Sequence, residues 1–448
     1  MAVISDHCPD IQITLVDKDK SKIEAWNSKD LSELPIFEPG LKEVVARNRK
    51  NNLFFSSDIQ GSIEQADMIF ISVNTPTKIR GLGAGYASDL KWVESSARQV
   101  AKYAKGHTIV VEKSTVPVRT AELIQEILNG SEKQNNNFNN KTFSVLSSPE
   151  FLAEGTAIKD LENPDRVLIG GSDNEAIGFL RDIYLRWIPL NKILLTNIWS
   201  SELSKLIANA FLAQRVSSIN SISALCESTG ADIYEVVKAI GSDKRIGEKF
   251  LSPGPGFGGS CFKKDILNLV YLCRFYKLES VAKYWEQVLF INDWQKKRIS
   301  SLIVEKFFGT VANKKIVILG FSFKYNTNDT RESPSIQIAK DLIENGAQLC
   351  INDPKVTSKQ IEEELGLKEF QINSVSSGSW NFSDDVFICS RNADAIVICT
   401  EWNEYKNMDW EKLSILLRRP SWIFDTRNVI SKENLKKLDV NIWQVGTS

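Results

Sequence analysis

The sequence predicts an α/β protein in which two doubly wound domains are joined by a central helical domain with a long spanning helix. Three observations support this. Strands alternate with helical segments in the first part of the chain, a helical pattern of nearly 30 residues follows, and a second alternation begins near residue 314. Alternating strands and helices are typical of parallel sheets. We therefore predict domains at residues 1–196, 197–310 and 311–448.

Composition excludes several functions. The 448 residues suffice for two or three domains. A net charge of -1 indicates no general attraction to nucleic acid or anionic membrane, and no leader or membrane-spanning run is evident, so we expect a cytoplasmic protein. Seven irregularly spaced cysteines without a CxxC pair favour a reducing compartment and argue against a metal site. His7 and His107 are the only histidines, so we expect the catalytic residues to be Cys, Lys, Asp or Glu.

The first domain begins with a strand at 11–17, which ends in Asp17, and a short helix at 20–27. The pattern continues with predicted strands at 52–57, 67–73, 107–113 and 143–149 and helices at 59–66, 89–104 and 119–130. An acid at the end of a strand, before a helix, is the residue that binds the NAD ribose in a Rossmann-like domain. Asp17 fits that role, with Lys22 beside the adenosine.

The glycine fingerprint of such a domain is absent. G-x-G-x-x-G should lie about 20 residues before the acid, but sixteen residues precede Asp17 and none is glycine. Residues 2–9 resemble the tail of a helix, and the glycines at 81–85 lie in a loop outside the required context. We expect a first domain truncated at its N-terminus, with two unpaired strand edges and poor NAD affinity.

The central segment from Trp199 to Ser228 has helical periodicity over nearly 30 residues. Its small residues would allow a second helix to approach closely, and we expect a domain-spanning helix that also contributes to a homo-oligomer. Lys205 and Asn209 are four residues apart and project from one face, either towards a site or as a solvated edge. Another helix is predicted after Gly230.

The glycine-rich segment from Gly254 to Asp265 is the predicted centre of the chemistry. Its glycines let the backbone pass close to a ligand, and a helical pattern follows. Cys261 is therefore expected at a loop-to-helix junction, where helix amides and the neighbouring Lys263 and Lys264 favour the nucleophilic thiolate. The alternative is a glycine-rich turn with a buried, inert cysteine.

The last domain repeats the strand and helix alternation, with strands predicted at 314–319, 348–354, 394–400 and 422–428 and a helix at 335–346. Lys324, Arg331 and Arg427 lie in loops after strand ends, where open sheets bind ligands. Basic loop residues are usually only solvated, but three at such positions favour a phosphate-bearing substrate. The asparagine-rich residues 131–141 are predicted to form a loop.

Long motifs along the chain resemble one family. They are VNTPT (73–77), EKSTVPV (112–118), SPEFLAEGTAIKDL (148–161), NPDRVLIGG (163–171), SSELSKLIANAFLAQR (200–215), FGGSCFKKD (257–265) and DTRESPS (329–335). Together they are similar to the UDP-glucose 6-dehydrogenases of the UDP-glucose/GDP-mannose dehydrogenase family, closest to the animal and plant forms. The resemblance covers nearly the whole chain, and only the family's first strand and glycine loop have no counterpart.

The resemblance implies NAD-dependent oxidation of the C6 alcohol of UDP-glucose to a carboxylate in two steps, through a thiohemiacetal and a thioester on Cys261. Lys205 would assist loss of the alcohol proton, with Asn209 donating a hydrogen bond and Asp265 orienting the lysine or a water. Glu150 would activate the hydrolytic water, which Thr115 would help to place. The implied catalytic residues are thus Cys261, Lys205, Asp265, Glu150, Asn209 and Thr115.

The same resemblance implies two sets of binding residues. The NAD contacts are Asp17, Lys22, Val73, Asn74, Thr75, Pro76, Thr77, Ser114, Thr115, Val116, Glu154, Cys261 and Arg331. The UDP-glucose contacts are Glu150, Phe151, Leu152, Ala153, Glu154, Lys205, Asn209, Arg245, Phe250, Leu251, Gly256, Phe257, Gly258, Phe323, Lys324 and Arg427. Ser252 stands where the animal form often has a lysine, so one pyrophosphate contact is expected to be weaker.

For partners, we expect UDP-glucose as substrate and a homo-oligomer built from dimers, such as a hexamer, but neither nucleic acid nor a membrane. Two alternatives stay open at this point. The chain could perform the same chemistry on another nucleotide sugar, such as UDP-N-acetylmannosamine or GDP-mannose. It could instead be a truncated, non-catalytic subunit that does not hold NAD. An NADH assay with each sugar distinguishes the first alternative from oxidation of UDP-glucose. An NAD titration tests the second alternative.

Overall fold

The computed structural model describes residues 1–130 and 141–447. The chain forms two compact units: unit 1 comprises Met1–Ala208 and Leu267–Glu279, and unit 2 comprises Asn209–Ile266 and Ser280–Ser448. The loop predicted at 131–141 lies, apart from its last residue, outside the described residues. The three domain ranges given above stay predictions.

The helices follow the chain in this order: α1 (Ala2–His7), α2 (Lys20–Asn27), α3 (Leu41–Asn48), α4 (Ile59–Glu64), α5 (Lys91–Tyr103), α6 (Thr120–Gly130), α7 (Ala157–Glu162), α8 (Asn174–Tyr184), α9 (Ile198–Thr229), α10 (Ile233–Gly241), α11 (Phe262–Phe275), α12 (Glu279–Lys306), α13 (Pro334–Glu344), α14 (Ser358–Leu365), α15 (Val386–Ser390), α16 (Asn403–Lys406), α17 (Trp410–Ile415) and α18 (Lys432–Leu435). Short 3₁₀ turns occupy Leu31–Glu33 and Leu190–Lys192. The predicted helices after residues 20, 59, 89, 119, 199, 230 and 335 are all present.

The strands are β1 (Ile13–Val16), β2 (Leu53–Ser56), β3 (Met68–Ile71), β4 (His107–Glu112), β5 (Thr142–Ser147), β6 (Val167–Gly170), β7 (Ile193–Thr196), β8 (Lys315–Leu319), β9 (Gln348–Asn352), β10 (Ser379–Phe382), β11 (Ala395–Ile398), β12 (Trp422–Asp425) and β13 (Asn441–Gln444). Every strand predicted from the sequence is found. The structure adds β6, β7, β10 and β13.

In unit 1 the strands form two separate sheets. β1 and β2 pair in parallel, and β3, β4, β5, β6 and β7 form a second sheet in that order. The β1–β2 pair is therefore not hydrogen-bonded to the larger sheet, in line with the two unpaired strand edges expected from the sequence. Helix α1, which matches the predicted helix tail, shares a buried apolar cluster with the β1–β2 pair through Ile4, Ile13 and Leu53.

The sheet of five strands is not wholly parallel as predicted. β5 and β6 run antiparallel and meet at a single pair, Ser147 opposite Gly170, whereas the other neighbouring strands are parallel. The connection between β5 and β6 contains only the six-residue helix α7. A parallel pair needs a crossover that returns the chain to the starting edge of the sheet, and residues 148–166 do not make that crossover, because β6 runs back along β5.

Unit 2 contains a parallel sheet of six strands in the order β10-β9-β8-β11-β12-β13. This order is that of a doubly wound domain and confirms the second predicted Rossmann-like domain. Strand β8 alternates between two cores, with Ile316 and Ile318 in one cluster and Val317 and Leu319 in the other. Both faces of the sheet are therefore covered, as parallel sheets require.

The long helix α9 spans 32 residues and confirms the helix predicted from Trp199 to Ser228. Its small residues Ala213 and Ser217 are buried, and the Ser217 hydroxyl donates to the Val288 carbonyl of α12 at 2.7 Å. The close second helix is thus α12 of the same chain.

Cys350 of β9 and Cys389 of α15 form a disulfide, with Cα atoms 5.5 Å apart. The irregular cysteine spacing, interpreted as a sign of a reducing compartment, did not predict this pair, because a strand and a helix separated by 39 residues bring the thiols together. Among the helices within residues 1–130 and 141–447, none combines the length and hydropathy needed to cross a membrane.

Candidate active site

Cys261 lies immediately before helix α11, at the junction predicted from the sequence. The Asp265 amide donates to the Cys261 carbonyl at 3.0 Å, which closes the first helical turn. Cys261 is exposed, whereas the other free cysteines among the described residues are buried. Burial raises the pKa of the Cys399 thiol to about 12, for example. Cys261 is therefore not the buried cysteine of the alternative interpretation.

The two lysines after Cys261 are paired with carboxylates. Lys263 contacts both carboxylate oxygens of Glu332 at 2.9 and 3.0 Å, and Lys264 lies 3.1 Å from Asp265 Oδ1. These partners offset much of the positive charge that was expected beside the thiol. These ion pairs do not involve the backbone amides at the start of α11. Those amides therefore remain the groups that favour a thiolate at Cys261.

Asn209 and Asp265 form a buried pair next to this helix start. The Asn209 Nδ2 donates to Asp265 Oδ2 at 2.6 Å, and both side chains are buried. Asp265 follows Cys261 by one helical turn, so three of the predicted catalytic residues are brought together within unit 2. Because Lys264 contacts the other carboxylate oxygen, both oxygens of Asp265 are held.

The glycine loop, residues 254–259, is buried and lies against the last domain. Gly256 has φ +121°, and a Cβ there would lie 2.9 Å from Asn292 Oδ1. A Cβ on Gly258 would lie 2.7 Å from the Glu332 carbonyl oxygen and 2.8 Å from Phe323 Cβ. Both positions therefore require glycine. Of the neighbouring predicted substrate contacts, Leu251 and Phe257 are buried and Phe250 is exposed.

Phe323 and Arg427 approach each other beside this loop. Arg427 Nη2 donates to the Phe323 carbonyl at 3.4 Å, its Nε donates to the Cys399 carbonyl at 2.9 Å, and it pairs with Glu401 at 3.2 Å. The ammonium of Lys324 lies 5.7 Å from the Phe323 ring centroid. The structure thus gathers these three predicted substrate residues, and it adds Glu401, which the sequence did not indicate.

Arg245 and Arg331, unlike Arg427, each form an ion pair with an aspartate close to them in sequence. Each guanidinium pairs at 2.6 Å with an aspartate two residues earlier, Asp243 and Asp329. Their side chains are 88% and 56% exposed. A role for either residue in ligand binding requires its guanidinium to leave the aspartate or to be shared with it.

In unit 1, hydrogen bonds join the loops after β3 and β4. Thr75 Oγ1 donates to the Thr115 carbonyl at 2.8 Å, and Ser114 Oγ donates to the Val73 carbonyl at 2.7 Å. The predicted cofactor segments 73–77 and 114–116 are therefore adjacent. They lie at the carboxyl ends of neighbouring parallel strands, where doubly wound sheets bind ligands.

A second group of predicted residues surrounds Phe151. The Lys205 ammonium lies 5.4 Å from the Phe151 ring centroid, and the Arg166 guanidinium lies 3.9 Å from it. The carboxylate of Glu150 accepts a hydrogen bond from the Phe151 amide at 2.9 Å. Leu152, Ala153 and Glu154 continue the same loop. Lys205 is 8% exposed, so it is not the solvated edge that the sequence left open as an alternative.

Lys113 is a neighbour of Glu150 that sequence reasoning missed, although it lies in the EKSTVPV motif. Its ammonium lies 3.2 Å from Glu150 Oε2 and donates to the Tyr184 hydroxyl at 3.0 Å. Burial opposes the charge, but Tyr184 and Glu150 outweigh it and raise the pKa of Lys113.

Glu202 of α9 is a second missed residue. Its two carboxylate oxygens accept hydrogen bonds from the Arg119 and Ala121 amides, both at 2.7 Å, at the start of α6. Burial raises its pKa to about 7, against the effect of these amides. Burial, together with the Glu202 charge, also raises the pKa of Glu112 well above its ordinary value. Glu202 thereby ties the loop that carries Thr115 to the long helix.

The position and exposure of Asp17 show whether unit 1 can bind a dinucleotide. It follows β1, its side chain is 37% exposed, and Oδ1 accepts from the Asp19 amide at 2.9 Å. The Lys22 ammonium lies 3.9 Å from Oδ2. An accessible carboxylate at a strand end can accept hydrogen bonds from ribose hydroxyls. The residues present therefore fit the adenosine side of NAD.

Comparison with protein families gives three matches in chain order. Residues 1–188 match the NAD binding domain of the UDP-glucose/GDP-mannose dehydrogenase family, residues 199–294 its central domain, and residues 317–432 its UDP binding domain. The UDP-glucose 6-dehydrogenase of Gallus gallus is 54% identical over 433 residues, which cover 96% of this chain and 86% of that protein. The chain belongs to the UDP-glucose/GDP-mannose dehydrogenase family.

Other members of the UDP-glucose/GDP-mannose dehydrogenase family support the assignment. UDP-glucose 6-dehydrogenase 4 of Arabidopsis thaliana is 48% identical over 459 residues, covering all of this chain and 94% of that protein. The solved structure of a UDP-glucose dehydrogenase from Pyrobaculum islandicum has a TM-score of 0.84 and 29% identity, covering 100% of this chain and 94% of that chain. The predicted family, its α/β architecture, the dehydrogenase class and NAD as cofactor are thus confirmed.

Proposed function

We propose that this chain oxidises UDP-glucose to UDP-glucuronate, with Cys261 as the nucleophile that holds the substrate between two oxidations. The observation that carries the proposal is the placement of the exposed Cys261 at the start of α11, one turn from the Asn209–Asp265 pair. The relatives named UDP-glucose 6-dehydrogenase, at 48% and 54% identity, support the choice of substrate.

The first half of the reaction converts the C6 alcohol to an aldehyde. Lys205 assists loss of the hydroxyl proton or stabilises the oxygen that carries the negative charge. Asn209 donates a hydrogen bond, and Asp265 orients the lysine or a water. NAD, when bound, accepts the hydrides that leave C6, and Asp17 together with segments 73–77 and 114–116 would hold it. Glu154 and Arg331 are proposed as further cofactor contacts.

The second half uses the thiolate of Cys261. The sulfur adds to the aldehyde carbon and forms a thiohemiacetal, and loss of a second hydride leaves a thioester. Glu150 takes a proton from water, which Thr115 helps to place, and the water oxygen attacks the thioester carbon. The carbon–sulfur bond then breaks, which releases the carboxylate and restores the thiolate. Lys113 keeps the Glu150 carboxylate beside it through their 3.2 Å contact.

Substrate binding is assigned to the glycine loop and its neighbours. Gly256, Phe257 and Gly258 provide the close backbone approach, while Lys324 and Arg427 provide positive charge for the pyrophosphate. Arg427 already shares its guanidinium with Glu401, so phosphate would compete with a carboxylate for it. The remaining contacts are proposed to be Phe151, Leu152, Ala153, Arg245, Phe250, Leu251 and Phe323.

An NADH assay tests this proposal. Purified protein is incubated with NAD and one sugar at a time, either UDP-glucose, UDP-N-acetylmannosamine or GDP-mannose, and the absorbance of NADH is followed. NAD is supplied in large excess, because the sequence predicts poor NAD affinity. We expect two NADH per UDP-glucose and no turnover of the other two sugars. Turnover of another sugar without turnover of UDP-glucose would overturn the substrate. A single NADH per sugar would overturn the covalent two-step scheme.

We also propose a homo-oligomer that uses the outward side of α9 and α12. In unit 2 these helices expose large apolar side chains, namely Phe211, Leu225, Tyr284 and Phe290, each more than half exposed. Large apolar side chains exposed on two packed helices favour a subunit contact. Mass photometry of the chain and of Phe290→Lys tests the assembly, which the variant should weaken. A cytoplasmic location is likewise proposed, and cell fractionation tests it.

A further inference from the structure

The glycine loop is held by amide side chains to which no role has been assigned above. Asn292 of α12 pairs with Phe257 in both directions: its Oδ1 accepts from the Phe257 amide at 2.7 Å, and its Nδ2 donates to the Phe257 carbonyl at 3.1 Å. The Asn292 side chain is 3% exposed. One side chain thus satisfies both backbone groups of a residue in the loop, as a neighbouring strand would in a sheet.

A similar arrangement holds Gly254 at the other end of the loop. Its amide donates to Asn220 Oδ1 of α9 at 2.8 Å, and its carbonyl accepts from Gln295 Nε2 of α12 at 2.8 Å. Gln295 is in turn fixed, because its Oε1 accepts from Arg298 Nε at 3.0 Å and Arg298 pairs with Glu227 at 2.8 Å. Asn220 and Gln295 are both fully buried.

These contacts oppose the flexibility of the loop. Its glycines have more freedom in the unfolded and loosened states than other residues, and no strand partner holds residues 254–258 in the sheets of the described chain. Leaving a buried amide or carbonyl without a hydrogen-bond partner is unfavourable. We call the hydrogen bonds from Asn292, Gln295 and Asn220 to the glycine loop the clamp. The clamp makes one conformation of the loop strongly preferred. That conformation leads, three residues after Gly258, to Cys261.

We infer that Asn292, assisted by Gln295 and Asn220, is the positioning residue that fixes the glycine loop in the conformation that receives the nucleotide sugar and presents Cys261. The inference deepens the proposed function and rests on it for the identity of the ligand. Asn292 does not touch the reacting atoms in this account. It acts through the backbone of Phe257.

Two variants of Asn292 separate hydrogen bonding from packing. Asn292→Ala removes both bonds. Asn292→Asp is nearly isosteric and keeps the acceptor for the Phe257 amide, but it replaces the donor that faces the Phe257 carbonyl. If Asn292 acted only by filling space, the aspartate variant would resemble the wild type. Gln295→Leu removes the contact with Gly254 and serves as a second, independent probe of the clamp.

Asn52 provides a matched control in unit 1. It is also a buried asparagine that holds backbone, because its Nδ2 donates to the Ser5 and Cys8 carbonyls at 2.8 and 3.0 Å. Asn52→Ala should therefore destabilise the chain in a comparable way without touching the glycine loop. Melting temperature and circular dichroism for every variant show which proteins are folded.

The readouts do not require NAD. Calorimetry measures the affinity for UDP-glucose, and iodoacetamide labelling measures the reactivity of Cys261, the exposed free cysteine of the described chain. We expect both Asn292 variants and Gln295→Leu to bind UDP-glucose about tenfold more weakly. We expect a changed labelling rate of Cys261 and weaker protection by UDP-glucose. Asn52→Ala should leave both quantities unchanged.

Wild-type affinity, labelling and protection in folded Asn292→Ala would overturn the inference. Equal weakening by Asn52→Ala, or wild-type behaviour of Asn292→Asp, would also overturn it, because either would point to a general structural role. If the wild-type chain itself does not bind UDP-glucose, the proposed function fails instead. The labelling rates then still decide the role of Asn292, since an altered rate in its variants but not in Asn52→Ala supports the clamp and unaltered rates refute it.

Discussion

Asn209 donates a hydrogen bond of 2.6 Å to Asp265, and this contact joins the long helix α9 to the helix that begins beside Cys261. Both side chains are buried, and Lys264 holds the second carboxylate oxygen of Asp265. The carboxylate thus has a fixed orientation one helical turn from the thiol. A residue from an element remote in sequence thereby contributes to the surroundings of the proposed nucleophile.

Asn209→Asp would place a second carboxylate against Asp265 in this buried position. Repulsion between like charges should destabilise the chain by about 2–4 kcal/mol at pH 8, more than Asn209→Ala does. The excess should shrink towards pH 4, where one of the two carboxyls is protonated. Urea denaturation of both variants at each pH measures the difference. An equal deficit for the two variants at pH 8 would contradict the model of this pair.

Glu202 should make stability depend on pH. Its pKa is raised from 4.5 to about 7, so the folded state binds a proton more tightly than the unfolded state. The resulting stabilisation is fully present below pH 4.5 and is lost as the pH rises to about 7, by about 3 kcal/mol. Glu202→Gln should lack this loss, although it forfeits one hydrogen bond to the start of α6.

Urea denaturation of Glu202→Gln and wild type between pH 4.5 and 7.5 measures the two slopes. Glu126→Gln, which changes an exposed glutamate on α6, is the matched control and should follow the wild type. Equal slopes for wild type and Glu202→Gln would show that Glu202 is not protonated in the folded protein near neutral pH.

Gly258→Ala should disturb the substrate loop. A Cβ would meet the Glu332 carbonyl at 2.7 Å and Phe323 Cβ at 2.8 Å, and neither atom is the end of a flexible side chain. We expect a loss of about 1–3 kcal/mol in stability and weaker binding of UDP-glucose in calorimetry. Gly178→Ala, whose nearest neighbour is an arginine tip at 4.0 Å, is the control and should be neutral or stabilising. Unchanged affinity in Gly258→Ala would argue against the assigned loop.

Lys113→Met should slow hydrolysis of the thioester, because Glu150 loses the ammonium that holds it at 3.2 Å. The acylated enzyme should then accumulate, as measured by acid quenching and intact mass, while the affinity for UDP-glucose is retained. Lys113→Arg keeps the charge and should restore part of the rate. A Lys113→Met protein that turns over at the wild-type rate without accumulating acyl enzyme would remove Lys113 from this role.

Features set by local sequence were predicted well. The periodicity after Trp199 indicated α9, and the pattern after Asp265 placed Cys261 at a helix start. Alternating strands and helices indicated both doubly wound regions, since each strand and helix carries its own periodicity. Four short strands, β6, β7, β10 and β13, were not predicted. The antiparallel pairing of β5 with β6 was also missed, because strand direction depends on how a connection crosses the sheet.

Pairs between distant elements were not predictable. Glu202 contacts an amide 81 positions away, and Asn292 contacts Phe257 across 35 positions. Glu202 lies between Ser201 and Leu203, and Asn292 lies between Ile291 and Asp293, so the neighbouring residues do not indicate either partner. The same applies to Cys350 and Cys389, whose separation of 39 residues carries no pattern. For Lys113, a motif gave the position but not the ionic partner.

The most direct test of the central claim is peptide mapping of the covalent intermediate. Glu150→Gln protein is mixed with UDP-glucose and NAD, quenched in acid and digested, so that slow hydrolysis preserves the adduct. We predict a UDP-glucuronyl mass on the peptide that contains Cys261, removable by hydroxylamine, and none in Glu150→Gln/Cys261→Ser. Formation of UDP-glucuronate by a Cys261→Ser protein, or an adduct on another side chain, would contradict the account.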